Sequence, residues 1–210
     1  MITKQIQKKG LLVKLWEKGI KILIKKECNN IGKIKIDIVS NSIQIFKSII
    51  NKLYINAEEI NYKGLLFDKI ELEANDIRIK FKILKKELKL ENNPTIKLKI
   101  SLSENSLKTV LFSNKWKWIT YRISEDILDQ EKLEDIEIKN GEIILTTLNY
   151  NKTVSTVEKI DIKAQDGNLY LENQAHKKSI KIPIEEKVFI KNVNIKNNLI
   201  NIFAKSSISF

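Results

Sequence analysis

With 210 residues, 42% of them hydrophobic and 30% charged, the chain is long enough for one domain with a true core. A net charge of +12 favours an anionic partner: a lipid surface, nucleic acid or an acidic protein. The single cysteine, Cys28, excludes an intrachain disulfide and a cysteine-based zinc site, and 6 Gly with 2 Pro leave little room for long flexible linkers.

Residues 1–26 predict a basic amphipathic helix. They hold eight lysines against one glutamate, a balance of +7 that leaves +5 for the rest of the chain. Leu12, Leu15, Trp16, Ile20 and Leu23 fall at helical spacing on one face, with Lys14, Lys18, Lys21 and Lys25 away from it. Such a helix can dock on its own domain. It can also lie in a membrane interface, with Trp16 at headgroup depth and lysines such as Lys18 and Lys21 over anionic lipid. Lys14, Glu17, Lys18 and Lys21 interrupt any signal-peptide core, and no apolar run reaches the roughly 18–20 residues of a membrane span. The expectation is a cytoplasmic protein peripheral to a membrane, with residues 1–30 as the helix and 31–210 as one α+β domain.

Residues 33–38 alternate through Ile34, Ile36 and Ile38, a strand. Residues Ser40 to Ser42 offer caps for a short helix over 43–51, although Ile43 and Ile45 also alternate. A strand over 53–62 leads to residues 61–81, where Ile70 and Leu72, then Ile77 and Ile79, alternate on either side of Ala74-Asn75-Asp76. That pattern predicts a hairpin with one greasy and one wet face. It recurs over 133–145, with Ile136 and Ile138 before the turn Asn140-Gly141, and over 190–202, around Asn197-Asn198. Between the copies, 81–90 reads as a short helix or an irregular crossing. Residues 95–102 form a clear strand through Ile96, Leu98, Ile100 and Leu102. Residues 103–114 turn helical, with Ser103 as cap and Leu107, Val110 and Leu111 as the stripe. Trp116, Trp118 and Tyr121 follow; if extended, the segment puts both indoles on one face, for core packing, an interfacial girdle or a stacking platform. Residues 153–164 and 168–172 pair across Gln165-Asp166-Gly167, and Pro183 marks an edge strand. The sum is α+β: a long curved antiparallel sheet of consecutive hairpins packed on two or three helices.

No catalytic constellation stands out. His176 is the one histidine and reads as a solvated loop residue; Glu125, Asp126 and Asp129 read as a solvated acidic turn. No nucleophile elbow, phosphate loop or dinucleotide fingerprint is present, so neither catalytic residues, metal nor cofactor are expected. Only Arg78 and Arg122 supply guanidinium groups, which argues against nucleic acid.

The segments SNSIQIFKSIINKLYINAEE, YKGLLFDKIELEANDIRIKF (with Gly64 and Leu65) and TIKLKISLSENSLKTVLFSNKW follow one another within residues 34–118. In that order they resemble the LmeA-like phospholipid-binding family. The resemblance implies a tubular lipid-binding-like fold, in which a curved sheet wraps a long helix and leaves an apolar groove for acidic phospholipid. It supplies no catalytic residues. Physical reasoning leads to the same expectation: an Ile/Leu sheet face with few helices to cover it leaves apolar area for a lipid tail. Ile70, Leu72, Ile77, Ile79, Ile96, Leu98, Ile100, Leu107, Leu111, Ile136 and Ile138 are the candidate groove residues. The alternative expectation is an assembly protein whose apolar face covers another protein and carries no lipid.

Overall fold

The computed structural model describes residues 10–82, 87–128, 131–148 and 155–207. The chain runs through α1 (Leu11–Glu27), β1 (Asn30–Val39), α2 (Ser42–Phe46), β2 (Ile49–Tyr62), β3 (Leu65–Lys82), β4 (Glu87–Leu90) and β5 (Thr95–Ser103). Then come α3 (Glu104–Leu111), α4 (Lys117–Asp126), β6 (Lys132–Lys139), β7 (Glu142–Leu148) and β8 (Ser155–Gln165). It ends with β9 (Asn168–Asn173), β10 (Lys178–Ile182), β11 (Val188–Lys196) and β12 (Leu199–Ser207). The class is α+β, as expected, but there are two open antiparallel sheets where the sequence predicts one. The first has seven strands in the order β1-β2-β3-β5-β12-β11, with β4 on β3; the second is a five-stranded meander, β10-β9-β8-β7-β6. The chain leaves the first sheet after β5, builds α3, α4 and the second sheet, then returns to place β12 beside β5.

Two-residue turns with positive φ at both positions set the registers. Asn140-Gly141, Asp166-Gly167 and Asn197-Asn198 lie where the sequence predicts them, joining β6–β7, β8–β9 and β11–β12. The fourth, Lys63-Gly64 (φ 52° and 86°), replaces the expected turn at Ala74-Asn75-Asp76. Residues 61–81 are therefore not a hairpin, because β3 runs unbroken for 18 residues. What interrupts its alternation is a kink. Asp76 takes φ 51°, and Ala74 and Ile77 both turn inward opposite Leu53 and Ile50. Of residues 81–90, expected as a short helix or an irregular crossing, Phe81 and Lys82 end β3 and Glu87–Leu90 form β4, which pairs back on it; residues 83–86 lie outside the described set.

The helices follow local capping chemistry. At α2, Asn41 caps Gln44 N at 2.8 Å while Gln44 Oε1 accepts from Asn41 N, a reciprocal box that holds only five residues helical. Ser103 caps α3 as expected, and Asp68 of β3 accepts from Ser103 N (2.5 Å) and Ser103 Oγ (2.9 Å). The aromatic segment is not extended. Trp116 precedes α4 and Trp118 lies in its first turn. Residues 1–9 of the predicted N-terminal helix lie outside the described residues.

Both cores form on one face of the first sheet. Leu72 pairs with Leu98, Ala74 with Ile96 and Ile100 with Ile202, so Ile and Leu line this face from β1 to β12. Val13 of α1 and Ile45 of α2 pack over the β1–β3 end, with Ile36, Ile50 and Leu53 beneath. The second sheet, α3 and α4 cover the β5–β12–β11 end, and bury Ile136, Leu145, Ile160, Ile123 and Ile200. Among the described residues one backbone bridge joins the two sheets, with Ile190 N donating to Gly167 O at 2.9 Å. The opposite face of the first sheet is wet: Lys69–Glu71, Lys99–Glu71 and Lys97–Glu73 pair across it at 2.6–3.2 Å.

Candidate functional site

Three sectors of α1 follow from 3.6 residues per turn. Val13, Trp16, Ile20 and Ile24 face the first sheet and pack into its core. Lys14, Lys18, Lys21 and Lys25 form an exposed basic sector. Leu11, Leu12, Leu15, Ile22 and Leu23 form an exposed apolar sector between them. One polar clamp fixes this rotation: Glu17 Oε1 accepts from Ile38 N of the edge strand β1 at 3.0 Å. The expected apolar face is thereby divided. Of the residues expected at a membrane surface, Trp16 and Ile20 turn toward the domain, and Leu12, Leu15, Lys18 and Lys21 are exposed.

Beneath the C-terminal half of α1 the packing does not close. A cavity of about 330 Å³ remains between the helix and the sheet. Ile20, Leu23 and Ile24 roof it; Ile50, Leu53 and Ile55 of β2 and Leu72, Ala74, Ile77 and Ile79 of β3 floor it; Leu90, Pro94 and Ile96 close one end. Every lining residue is apolar, so the cavity offers water no hydrogen-bond partner from a side chain. Leu23 lines it while 43% exposed, so it reaches the surface beside the helix. Lys26, one turn from Leu23, is exposed there.

Of the expected groove residues, Leu72, Ile77, Ile79 and Ile96 line this cavity. Leu98 packs against both cores. Ile100, Leu107, Leu111, Ile136 and Ile138 belong instead to the core shared with the second sheet, and Ile70, half-buried, pairs with Ala57 and Ile100 outside the cavity. The single long groove implied by the sequence does not form, because the second sheet covers that half of the oily face. The other lining residues, among them Ile24, Ile50, Leu53, Ile55, Leu90 and Pro94, are not among the groove residues that the sequence predicts. The alternation of β2 and the spacing Ile20–Ile24 carry the signal for most of them.

The remaining candidates are structural in their surroundings. His176 sits in an exposed turn with Nε2 3.3 Å from Glu158, whose other oxygen accepts from Asn173 Nδ2 at 3.1 Å. Trp116 and Trp118 approach to 6.4 Å at a 38° tilt; Trp116 is half-buried beside Gly64, and Trp118 is exposed. Arg122 holds Asp126 one helical turn away at 2.9 Å, and Asp129 lies outside the described residues. Burial, and then Glu27, push the Cys28 thiol above its ordinary pKa, which keeps it protonated and poorly nucleophilic. Among the described residues no cluster of three or more His, Cys, Asp or Glu side chains is placed to hold a metal, and no helix is long and apolar enough to cross a membrane. No protein-family profile matches the chain, and no curated protein or solved structure is detectably similar to it.

Proposed function

We propose that this chain is a peripheral lipid-binding protein without covalent chemistry, holding an acyl chain in the cavity between α1 and the first sheet. The observation that carries the reading is the all-apolar lining reaching the surface at Leu23. Its volume falls at the lower end of the roughly 300–1,000 Å³ of ligand pockets. An alkyl tail suits it because each buried methylene is worth about 0.8 kcal/mol, and no polar group has to be satisfied inside. Lys26 and Lys25 at the end of α1 supply positive charge for an anionic headgroup left outside.

Native mass spectrometry of the purified chain, incubated with phosphatidylglycerol and then desalted, tests this. A stoichiometric lipid adduct is expected. Ile24→Trp, which fills the cavity from the helix side, should remove that adduct while leaving the thermal midpoint within a few degrees. A lipid-free protein that recovers one stoichiometric protein partner on crosslinking would instead identify an assembly module.

A further inference from the structure

We infer that α2 and the first turns of α1 form a membrane-inserting tip, with Phe46 as its principal anchor; this rests on the lipid-binding reading and gives it a direction of approach. α2 is short, and its capping box fixes its orientation. Ile45 points into the core at 2% exposure, and this forces Ile43 and Phe46 outward at 69% and 83%. Nothing in the fold requires these two to be apolar, because neither packs into a core. Leu11, 77% exposed, opens α1 alongside: a Cβ on the preceding Gly10 would lie 3.7 Å from Ser42 Oγ of α2. Leu12 and Leu15 extend the patch along α1 toward Leu23 at the cavity rim, past Gly19, where a Cβ would meet open space.

The choice of an anionic bilayer as occupant comes from the charge beside the patch. Lys14, Lys18, Lys21 and Lys25 run the length of α1 next to the apolar strip, and Lys47 follows Phe46 directly. Of these, only the α1 row is contiguous, and Glu17, the one acid of residues 10–26, is turned away onto Ile38 N. A greasy strip bordered by an uninterrupted lysine row matches the acyl boundary and headgroup layer of an anionic membrane. Seated in this way, α1 lies along the surface and brings the Leu23 opening to the lipid.

Vesicle sedimentation with the full chain tests the inference, comparing phosphatidylglycerol/phosphatidylcholine vesicles with pure phosphatidylcholine. Wild type should bind the anionic vesicles, less so at high salt, and Ile43→Ser/Phe46→Ser should bind them roughly tenfold or more weakly. Val157→Ser, at an exposed site on the second sheet, should bind like wild type. Phe46→Cys in a Cys28→Ser background, carrying an environment-sensitive fluorophore, should shift to the blue on anionic vesicles. Equal binding by the double variant, no spectral shift, or a wild-type dimer that the double variant dissolves would each overturn the tip. Native mass spectra separate this from the lipid-binding reading. A retained lipid adduct with no vesicle binding removes the tip alone; tip-dependent vesicle binding by a chain that never carries lipid removes the cavity alone.

Discussion

At the scale of single residues, two positions add backbone and polar links between halves that share a buried core. Gly167 takes φ 78° in the β8–β9 turn, and an added Cβ would stand 2.5 Å from the Phe189 ring, next to the Ile190–Gly167 bridge. Gly167→Ala therefore combines a left-handed backbone with a clash that the exposed Phe189 ring must move to relieve, beside the bridge between the sheets, and should lose about 1–2 kcal/mol in denaturant unfolding. Lys108 of α3 is the second position. It pairs with Glu104 at 3.1 Å and Asp135 of β6 at 2.9 Å, while Glu104 also accepts from Ile138 N at 2.9 Å. The Ile138 amide, then Lys108, hold Glu104 below the ordinary carboxylate range; Lys108 first does the same for Asp135. Because both folded pKa values are depressed, the stabilisation they give is present above the unfolded carboxylate pKa, about 4, and is lost as pH falls through the lower folded values. Both groups are partly solvated, which keeps the effect modest. Unfolding midpoints measured from pH 7 to pH 2.5 should drop on the acid side, and the drop should be smaller in Glu104→Gln/Asp135→Asn.

At the scale of elements, the legible parts were those whose signal is local. The Asn140-Gly141 and Asn197-Asn198 turns and the Ser103 cap each need only a few neighbouring residues, and each forms as read. The central segment was misread for a physical reason. A break in alternation at Ala74-Asn75-Asp76 marks either a turn or a kink within one strand, and only the partner strand decides. Here β2 carries a matching slip, Ile50 and Leu53 both inward, so pairing continues through the kink. The N-terminal helix shows the same limit. Trp16 and Leu15 are both apolar on one helix, and the amide of Ile38 decides which of them faces the sheet, by way of Glu17. Glu17→Ala should leave that edge amide without this partner, at a cost of about 1–3 kcal/mol. The loss should concentrate in α1, so its amides should exchange with deuterium faster than those of β5 and β12. Uniform acceleration across the chain would show that α1 is not a separately opening element.

At the scale of the whole molecule, the topology was invisible in the sequence because the contact that closes it spans half the chain. Ser101 Oγ donates to Asn201 Oδ1 at 2.9 Å across 100 residues, side by side on β5 and β12. No periodicity reports which distant strands become neighbours, so the sequence predicts one continuous sheet and carries no sign that a second one covers the oily face. The same topology makes β5 the seam between two cores on one sheet face. Ile96 belongs to the α1 core, and Ile100 and Leu102 pack against the other. Leu98 touches both. If the seam couples them, Leu98→Ala should weaken both ends together, by about 1–2 kcal/mol, since a half-buried leucine packed against both cores loses part of its transfer energy when truncated. Tryptophan positions allow the halves to be read separately: Trp16 reports on the α1 core, and Trp116 and Trp118 on the α4 end. In Trp116→Phe/Trp118→Phe and in Trp16→Phe backgrounds, urea unfolding followed by fluorescence should give coincident midpoints that shift equally on adding Leu98→Ala. Separate midpoints, with the Trp16 signal moving alone, would mean that α1 and its cavity unfold as an independent unit. The proposed lipid site would then rest on the less stable half of a shared sheet, where opening to admit a chain costs least.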